Sequence, residues 1–470
     1  MLSSVPAGIC ILLGDKMINY RDWLMSEKTI IKSQRYYAHF DYRTDISKCV
    51  DYISDTDNIT THAFYPFIHY IKEVNKYSRA NGMESKPRNI CYAAHIDRCI
   101  YQLYNFLLNN LYNDYCTKLD INDVAVAYRT NMPGQSNVNF AKKAIEFIKS
   151  TKECFIMIGD FTNFFDNLDH VYLKMQWCNL LNTSILPNDH YAVFKNITRY
   201  SKFKLSDLLK IHGLKNNKKD IRKLNSKRRV LSPIELRNNT SYIEKNKDYG
   251  IPQGSPMSGV LANIYMLEAD EEISRFVNYH KGIYMRYSDD FIIVLPISDE
   301  NKAISKLKAI NNLFNNPKYP RLILEPNKTQ YYRFFNNSIV NCGNKIYLNA
   351  DCSDKQMDFL GFKFDGNKVS LRDKTISKYY QRTRRKAKTI SKGGRYTKNG
   401  NQISMKNLYI KYSERGAYTK KGNFLSYVYR SEEEFGNDEF IHLIPKRNMF
   451  KIRKFLKKNY IKRRKDNKKT

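Results

Sequence analysis

Two places in the 470-residue sequence put carboxylates at the end of a strand-like run. In ECFIMIGDF (153–161) a short apolar stretch leads into Asp160. In YSDD (287–290), Asp289 and Asp290 stand side by side in the turn of a strand hairpin. Adjacent carboxylates repel, and a cation is the usual remedy when they are partly buried. Hard divalent cations prefer such oxygens. Two ions a few ångströms apart are what phosphoryl transfer to a hydroxyl requires, one at the attacking oxygen and one at the leaving group. Taken singly, an Asp after a strand is ordinarily a turn or cap residue, and an Asp-Asp pair a solvated turn. Brought together from distant strands, Asp160, Asp289 and Asp290 would make an ion-binding triad.

The elements around them follow from local pattern. GIYMRYSDDFIIVLP (282–296) predicts strand, tight turn, strand, and RLILEP, NKIYLNA and MDFLGFKF predict further strands. TNMPGQSN (130–137) predicts a loop, and NFAKKAIEFIKSTK an amphipathic helix. Helical periodicity is dense in ICYAAHIDRCIYQLYNFLLNNLYNDY (90–115), and HAFYPFIHYIKEVNKYSR is also expected to be helical. Residues 180–250, polar and basic around NNKKDIRKLNSKRR, predict an irregular or helical insertion. From Ser377 the chain turns basic and helical and passes a glycine-containing loop, KGGRYTKNGN. It ends in KIRKFLKKNYIKRRKDNKKT, expected to be frayed or ordered only on nucleic acid. Strands alternating with helices in the middle third indicate an α+β sheet domain flanked by mostly helical parts.

Composition narrows the partners. Lys and Arg outnumber Asp and Glu by 80 to 46, a formal net charge of +34. Such a charge attracts a polyanion, with nucleic acid the first candidate. A chain rich in Lys, Asn, Ile and Tyr together accounts for part of the excess. Hydrophobic residues at 42% and aromatics at 13% exclude a disordered protein, and the length allows two or three domains. The nine cysteines include no CxxC pair, which speaks against a zinc ribbon and suits free thiols in a reducing cytoplasm. The opening MLSSVPAGICILLGDKM has no basic residue before its apolar stretch, which is too short to span a bilayer.

Between the two carboxylate segments lies YGIPQGSPMSGVLANIYM (249–266). The order and spacing of all three resemble the right-hand palm of reverse transcriptases: an Asp strand, a PQGSP-type turn opening a helix, and a [YF]xDD hairpin. KTQYY (328–332) resembles the fourth palm motif and FLGFKF (359–364) the primer-grip hairpin; the likeness covers roughly residues 90–390. It implies that Asp160, Asp289 and Asp290 hold two Mg²⁺ ions, with Mn²⁺ as the alternative. Phe165 matches the aromatic gate that would clash with a ribose 2′-hydroxyl, which implies deoxynucleotide substrates. Phe161, Gln253 and Gly254 would contact the incoming nucleotide, and Tyr287 the primer terminus. Lys328 matches the lysine proposed as acid for the leaving pyrophosphate. Arg129 in AVAYRTN resembles the finger-domain arginine that clamps the triphosphate. Asp166 and Asp169 fit the pattern FFDxIxH as structural residues capping the following helix, and His170 as a structural histidine. The segment from Tyr379 to Lys392 resembles the start of a thumb, whose Arg382, Arg384 and Arg385 would meet phosphates.

The expected architecture is α+β, a right-hand polymerase with fingers and an antiparallel palm sheet over 90–365. A mainly helical family-specific extension (1–89) would precede it, and a thumb with a basic helical C-terminal region (366–470) would follow. Missing endonuclease, ribonuclease H, integrase and maturase segments argue against viral, retrotransposon and group II intron products. No NAxxH or VTG segment is present, and SDD replaces ADD, which argues against retrons. IDRCIYQLYNFL and the 180–250 insertion look more like bacterial abortive-infection and defence-associated reverse transcriptases. That resemblance implies a cytoplasmic bacterial enzyme making DNA from dNTPs on an RNA template, in some members a dedicated non-coding RNA, in answer to phage. No membrane is implied; a second copy or a partner protein is left open. The rival reading is a template-independent or protein-primed DNA polymerase on the same palm, although 36 tyrosines name no priming residue. A non-catalytic RNA-binding scaffold has no need of the full set of carboxylates, PQG turn and Lys328.

Overall fold

The computed structural model describes residues 20–78, 82–326, 328–346, 355–391, 403–436 and 440–466. Four short helices come first: α1 (Tyr20–Met25), α2 (Glu27–Ser33), α3 (Ile46–Ser54) and α4 (Thr56–Thr61). They lead into β1 (Phe67–Ser78) and β2 (Gly82–Tyr92), an antiparallel hairpin paired from Ile68 opposite Tyr92 to Ser78 opposite Gly82. HAFYPFIHYIKEVNKYSR was expected to be helical, and from Phe67 onward the structure corrects it to strand. The reason is tertiary: β1 has a ladder on each side, and its β-branched and aromatic residues suit a pleated surface better than the periodicity suggested. Among the described residues of 1–89, four helices are thus followed by a strand hairpin, and the expected boundary at 89/90 falls inside β2. Pro87 is tolerated because β2 is a sheet edge.

Helix α5 (His95–Lys118) buries Ile100, Leu103, Tyr104, Leu107 and Leu108. Its first turn is held by Asp41, whose Oδ2 accepts from the Ile96 N–H at 2.9 Å, while the buried Oδ1 has no hydrogen-bond partner. Burial pushes this carboxyl from 3.8 up to about 7. The folded protein thus keeps a proton that the unfolded chain gives up, so this contribution to stability is whole below 3.8 and lost as pH rises through about 7. Burial also pushes His39 down to about 3 and His95 to about 4, which gives a slope of opposite sign. Asp41→Asn removes only the first slope. The Tm of the variant relative to the parent is expected to climb between about pH 4 and 7; a pH-independent difference would show that Asp41 does not titrate there.

After the loop at 130–136 come α6 (Asn137–Ser150), opened by a Ser136–Asn139 capping box, and β3 (Glu153–Asp160). Then follow α7 (Phe164–Asn167), α8 (His170–Leu181) and α9 (Asn188–Thr198). The basic insertion is folded: β4 (Ser201–Lys204), α10 (Leu205–Ile211), α11 (Lys218–Ser226), α12 (Pro233–Asn238) and β5 (Ile243–Lys245). Strands β4 and β5 extend the first sheet to the order β2-β1-β4-β5, with β4 parallel to β1. Phe203, Leu208, Leu209, Leu224, Val230 and Leu231 pack there with Ala38, Phe40 and Ile68.

Helices α13 (Ser258–Tyr265) and α14 (Leu267–Tyr279) precede the hairpin β6 (Ile283–Tyr287) and β7 (Asp290–Leu295). Next come α15 (Glu300–Phe314), β8 (Gln330–Phe335) and β9 (Ser338–Asn341). The second sheet runs β6-β7-β3-β8-β9, antiparallel throughout, with Cys154 to Met157 wholly buried on its central strand. RLILEP, expected to be a strand, contributes only an isolated bridge between Leu324 and Phe161, flanked by hydrogen bonds from Thr162 to the Ile323 carbonyl and from Glu325 to that of Asp160. Most of NKIYLNA and all of KGGRYTKNGN lie outside the described residues. MDFLGFKF forms the hairpin β10 (Met357–Phe359) and β11 (Phe362–Phe364), completed by β12 (Val369–Leu371).

The remaining helices are α16 (Asp373–Ser391), α17 (Met405–Tyr412), α18 (Glu414–Ala417), α19 (Phe424–Phe435) and α20 (Leu443–Asp466). The basic tail, expected to be frayed or ordered only on nucleic acid, forms the second half of α20 up to Asp466. Ile452 and Leu456 anchor it by packing with Ala387 and Leu408. The chain divides into two compact units, each drawn from three stretches. One comprises 1–132, 161–274 and 311–324; the other comprises 133–160, 275–310 and 325–470. No helix among the described residues is long and apolar enough to cross a membrane.

Candidate active site

All three carboxylates belong to the unit built on the five-stranded sheet. Strand β3 ends on Asp160, which stands directly opposite Asp290, the first residue of β7. Asp290 in turn pairs with Tyr287 across the β6–β7 hairpin, so Ser288 and Asp289 form its two-residue turn. Ser288 takes φ +65°, the positive value that such turns demand. Beneath the turn, the fully buried Arg286 donates from Nη1 to the Ser288 carbonyl at 2.9 Å. Nothing in the sequence distinguished Arg286 from the other strand residues.

Electrostatics mark the cluster. Burial first, then the charges of Asp289 and Asp160, raise the Asp290 carboxyl from 3.8 to about 7 against the opposing pull of Arg372 and Lys328. Asp160 is also raised, by burial first, then by Asp289 and Glu325, while its hydrogen bond to Lys328 pulls the other way. Lys328 Nζ donates to Asp160 Oδ2 at 2.5 Å, and the buried Asp160 Oδ1 has no hydrogen-bond partner. Among the described residues, no three His, Cys, Asp or Glu side chains are already gathered around one point that could hold an ion. The donor set nevertheless fits hard cations. It offers carboxylate oxygens only, one of them orphaned, and each charge opposes ionisation of its neighbours. Tyr287, half-buried at the end of β6, has its ring 6.3 Å from that of Phe140.

The nucleotide-contact candidates fall in the other unit. Phe165, Gln253, Gly254, Tyr128, Asn105 and Ile90 are among the residues lining a cavity of about 490 Å³. Phe164 is core, whereas Phe165 is only half-buried and reaches the cavity wall. Gln253 Nε2 donates to Asp166 Oδ2 at 3.1 Å, and its carbonyl accepts from the Cys91 N–H at 2.8 Å. Asp169 caps α8 by accepting from the Tyr172 N–H at 2.9 Å. Asp166, expected to share that capping role, holds Gln253 instead. His170 is buried with Nε2 2.8 Å from the Gly250 carbonyl oxygen.

Two expected substrate contacts are corrected. The Phe161 side chain is buried, packed 5.5 Å from Phe164 and 5.3 Å from Phe314 between ring centroids, and offers no surface to a ligand. Arg129 is held by helix α5 and its own loop. Its Nε donates to Asn113 Oδ1 (2.5 Å), Nη2 to Asn122 Oδ1 (2.7 Å) and Nη1 to the Ala125 carbonyl (3.0 Å), so its fork is committed before any triphosphate arrives.

The residue that this loop presents is Tyr128, which no sequence pattern had singled out. It is 48% exposed and held at φ +63°, an unusual conformation for a bulky side chain. Asn109 donates to its carbonyl at 2.7 Å, and Asn263 donates to that of Ala127 at 2.9 Å. Its ring lies so close over Gly259 that a Cβ there would sit 2.6 Å from it. A signal was present: Asn105, Asn109 and Asn113 recur every four residues along one face of α5, a polar stripe whose Asn109 and Asn113 are buried and bond the loop.

Arg382, Arg384 and Arg385 are exposed on α16, with the Arg384 guanidinium 5.0 Å from the Phe455 ring centroid.

Residues 75–364 match the family model described as reverse transcriptase (RNA-dependent DNA polymerase). No curated protein matches the chain. Among solved structures, apo telomerase from Candida tropicalis truncated from its C-terminal domain is 14% identical, with 70% of this chain and 61% of that one covered and a TM-score of 0.41. Telomerase from Candida albicans in complex with the TWJ fragment of telomeric RNA is 12% identical, with 86% and 61% covered and a TM-score of 0.35. The chain therefore spans about three fifths of the length of these structures. The family match takes in both carboxylate segments, the PQGSP turn and the FLGF hairpin, and covers more than half of the sequence: the chain belongs to the reverse transcriptase (RNA-dependent DNA polymerase) family.

Proposed function

We propose that the protein synthesises DNA from dNTPs on an RNA template, with residues 90–365 acting as fingers and palm and α16 opening the thumb. The observation that carries this reading is the register of the second sheet, which sets Asp160 opposite Asp290 with Asp289 at the adjoining turn. These three would hold two divalent cations, Mg²⁺ or Mn²⁺, which when bound activate the primer 3′-hydroxyl and stabilise the charge on the leaving pyrophosphate. Lys328 carries a proton at Nζ and gives it to the leaving group. Gln253 and Gly254 orient the incoming nucleotide, with Asp166 fixing the Gln253 amide. Tyr287 supports the primer end. Arg382, Arg384 and Arg385 bind backbone phosphates, which makes binding fall steeply with salt.

Phe165 closes the sugar side of the cavity and excludes a 2′-hydroxyl. Phe165→Ala is accordingly expected to raise incorporation of rNTPs relative to dNTPs by at least about tenfold, the scale of one steric exclusion of ~1.4 kcal/mol. Single-nucleotide extension with each substrate measures it, and unchanged selectivity would return Phe165 to a packing role.

The protein with its co-purified nucleic acid, given Mg²⁺ and labelled dNTPs, tests the whole reading once RNA and product are sequenced. Product complementary to a bound RNA is the expected result. Homopolymer or random product, especially product attached to protein, would replace it with untemplated or protein-primed synthesis. Bound RNA without synthesis would favour a scaffold. The finer reading, a cytoplasmic bacterial enzyme acting against phage with a dedicated RNA, rests on IDRCIYQLYNFL and the 180–250 insertion. It predicts that phage plaquing is suppressed by the parent gene and restored by Asp289→Ala.

A further inference from the structure

Nucleotide transfer leaves two parts of the chain without a use: the stretch ahead of β1 and the basic insertion. The fold joins them. RYYAHFDYR (35–43) runs beside the α11–α12 connection, where the Ala38 N–H donates to Asn225 Oδ1 at 3.1 Å, Arg43 donates to the Asn225 carbonyl, and the Val230 N–H donates to the His39 carbonyl at 2.8 Å. Ala38 and Phe40 enter the insertion's core. Tyr36 and Tyr42 do not; they are 85% and 56% exposed. The Arg229 guanidinium lies 3.6 Å from the centroid of Tyr42, stacked on one face of the ring. Arg43 and Arg228 are exposed beside them.

The charge around this surface is uncompensated. Over residues 199–250, Lys and Arg outnumber Asp and Glu fifteen to five. Four of those acids are already engaged: Asp207 with Lys210, Asp220 with Lys223, Glu244 with Lys202 and Lys204, and Glu235 in the cap on Ser232. Beside Tyr36 and Tyr42 the cations are the planar guanidinium groups of Arg43, Arg228 and Arg229, the first two exposed and the third stacked on Tyr42. A strand whose bases are unpaired satisfies both groups, because any base has a π-face for tyrosine and every phosphate takes a guanidinium fork. A duplex hides those faces in its stack.

We propose that Tyr36, Tyr42, Arg43, Arg228 and Arg229 form a second nucleic-acid surface that grips an unpaired strand by stacking its bases and pairing its phosphates. The surface is built entirely within the unit that carries the first sheet, and it owes nothing to the carboxylate triad.

The test uses the full chain and fluorescein-labelled oligo(U) and oligo(dT) single strands of about 16 nucleotides, read by anisotropy over a salt series. Tyr36→Ala combined with Arg228→Ala is expected to raise Kd about tenfold and to flatten the log–log salt slope by about 0.7 for each phosphate no longer neutralised. Tyr36→Phe, which keeps the ring, is expected to bind like the parent. Both changes are at exposed side chains, and an unaltered Tm verifies the fold. Weakening on oligo(U) alone identifies the strand as RNA; equal weakening on both strands identifies a sugar-tolerant grip that also accepts product DNA. Binding of both strands within about twofold of the parent would overturn the proposal. Asp289→Ala separates it from polymerisation, since that variant is expected to lose synthesis and keep this binding, whereas the Tyr36/Arg228 variant keeps extension of a short pre-annealed primer–template.

Discussion

Asp289→Ala is expected to abolish DNA synthesis, by at least about three orders of magnitude in rate, while leaving the protein as stable as before or slightly more so. The rate follows from losing a ligand that stabilises transition-state charge, worth several kcal/mol at about 1.4 kcal/mol per tenfold. The stability follows from electrostatics. Asp289 raises the carboxyls of both Asp290 and Asp160, so it opposes ionisation of its neighbours in the folded protein. Removing that charge relieves repulsion, and the turn keeps its anchor because Arg286 holds the Ser288 carbonyl, not the Asp289 side chain. Primer extension, Tm and RNA binding measured on the same preparation separate the two effects. Synthesis surviving within about tenfold of the parent would remove Asp289 from the site; a fall in Tm matching the lost activity would reduce it to a structural residue.

The central sheet was legible because its pattern is local and strong. Cys154 to Met157 are apolar on both faces, as a strand buried on both sides must be, and apolar runs on either side of SDD leave little alternative to a hairpin. MDFLGFKF was legible for the same reason, with Leu360 and Gly361 both at positive φ in its turn. Strand β1 was not, since the partner that fixes it on one side, β4, lies more than a hundred residues away, and tyrosines and isoleucines alone fit either period. RLILEP failed in the opposite direction, having strand-like composition but pairing with 160–162 only through one isolated bridge and its flanking hydrogen bonds.

At the site, sequence could find the motif but not the aim of each side chain. AVAYRTN offered an arginine and a tyrosine next to each other, and charge favoured the arginine. The choice was made elsewhere in the chain: Asn113 and Asn122 take up the Arg129 fork, while Asn109 fixes the backbone that turns Tyr128 out. Asp166 shows the same dependence. It was read as a cap from its own neighbourhood, yet its partner is Gln253, nearly ninety residues on. Local chemistry names the residue types that a site needs; the long-range hydrogen bonds decide which copies of those types are available to a ligand.

That dependence makes Gly254→Ala the most informative change away from the carboxylates. Gly254 sits at φ +116°, and a Cβ there would lie 2.4 Å from the Cys91 carbonyl oxygen, a backbone atom that cannot swing aside. The same Cys91 donates its N–H to the Gln253 carbonyl, so the peptide of the PQG turn is hydrogen-bonded to the end of β2. Alanine must push the turn or the strand end by a sizeable fraction of an ångström, and Gln253 moves with it. A misplacement on the order of 1 Å costs about a hundredfold when geometry sets the rate, so kcat/KM for dNTP incorporation is expected to fall by about that factor. Backbone strain of ~1–3 kcal/mol accompanies it in stability. Gly213→Ala is the control, for that residue has φ +62° but nothing within 4 Å of a Cβ. It is expected to carry the strain alone and keep full activity. If both variants lose activity alike, strain and not the seat of Gln253 governs the effect; if neither does, the turn does not position the nucleotide.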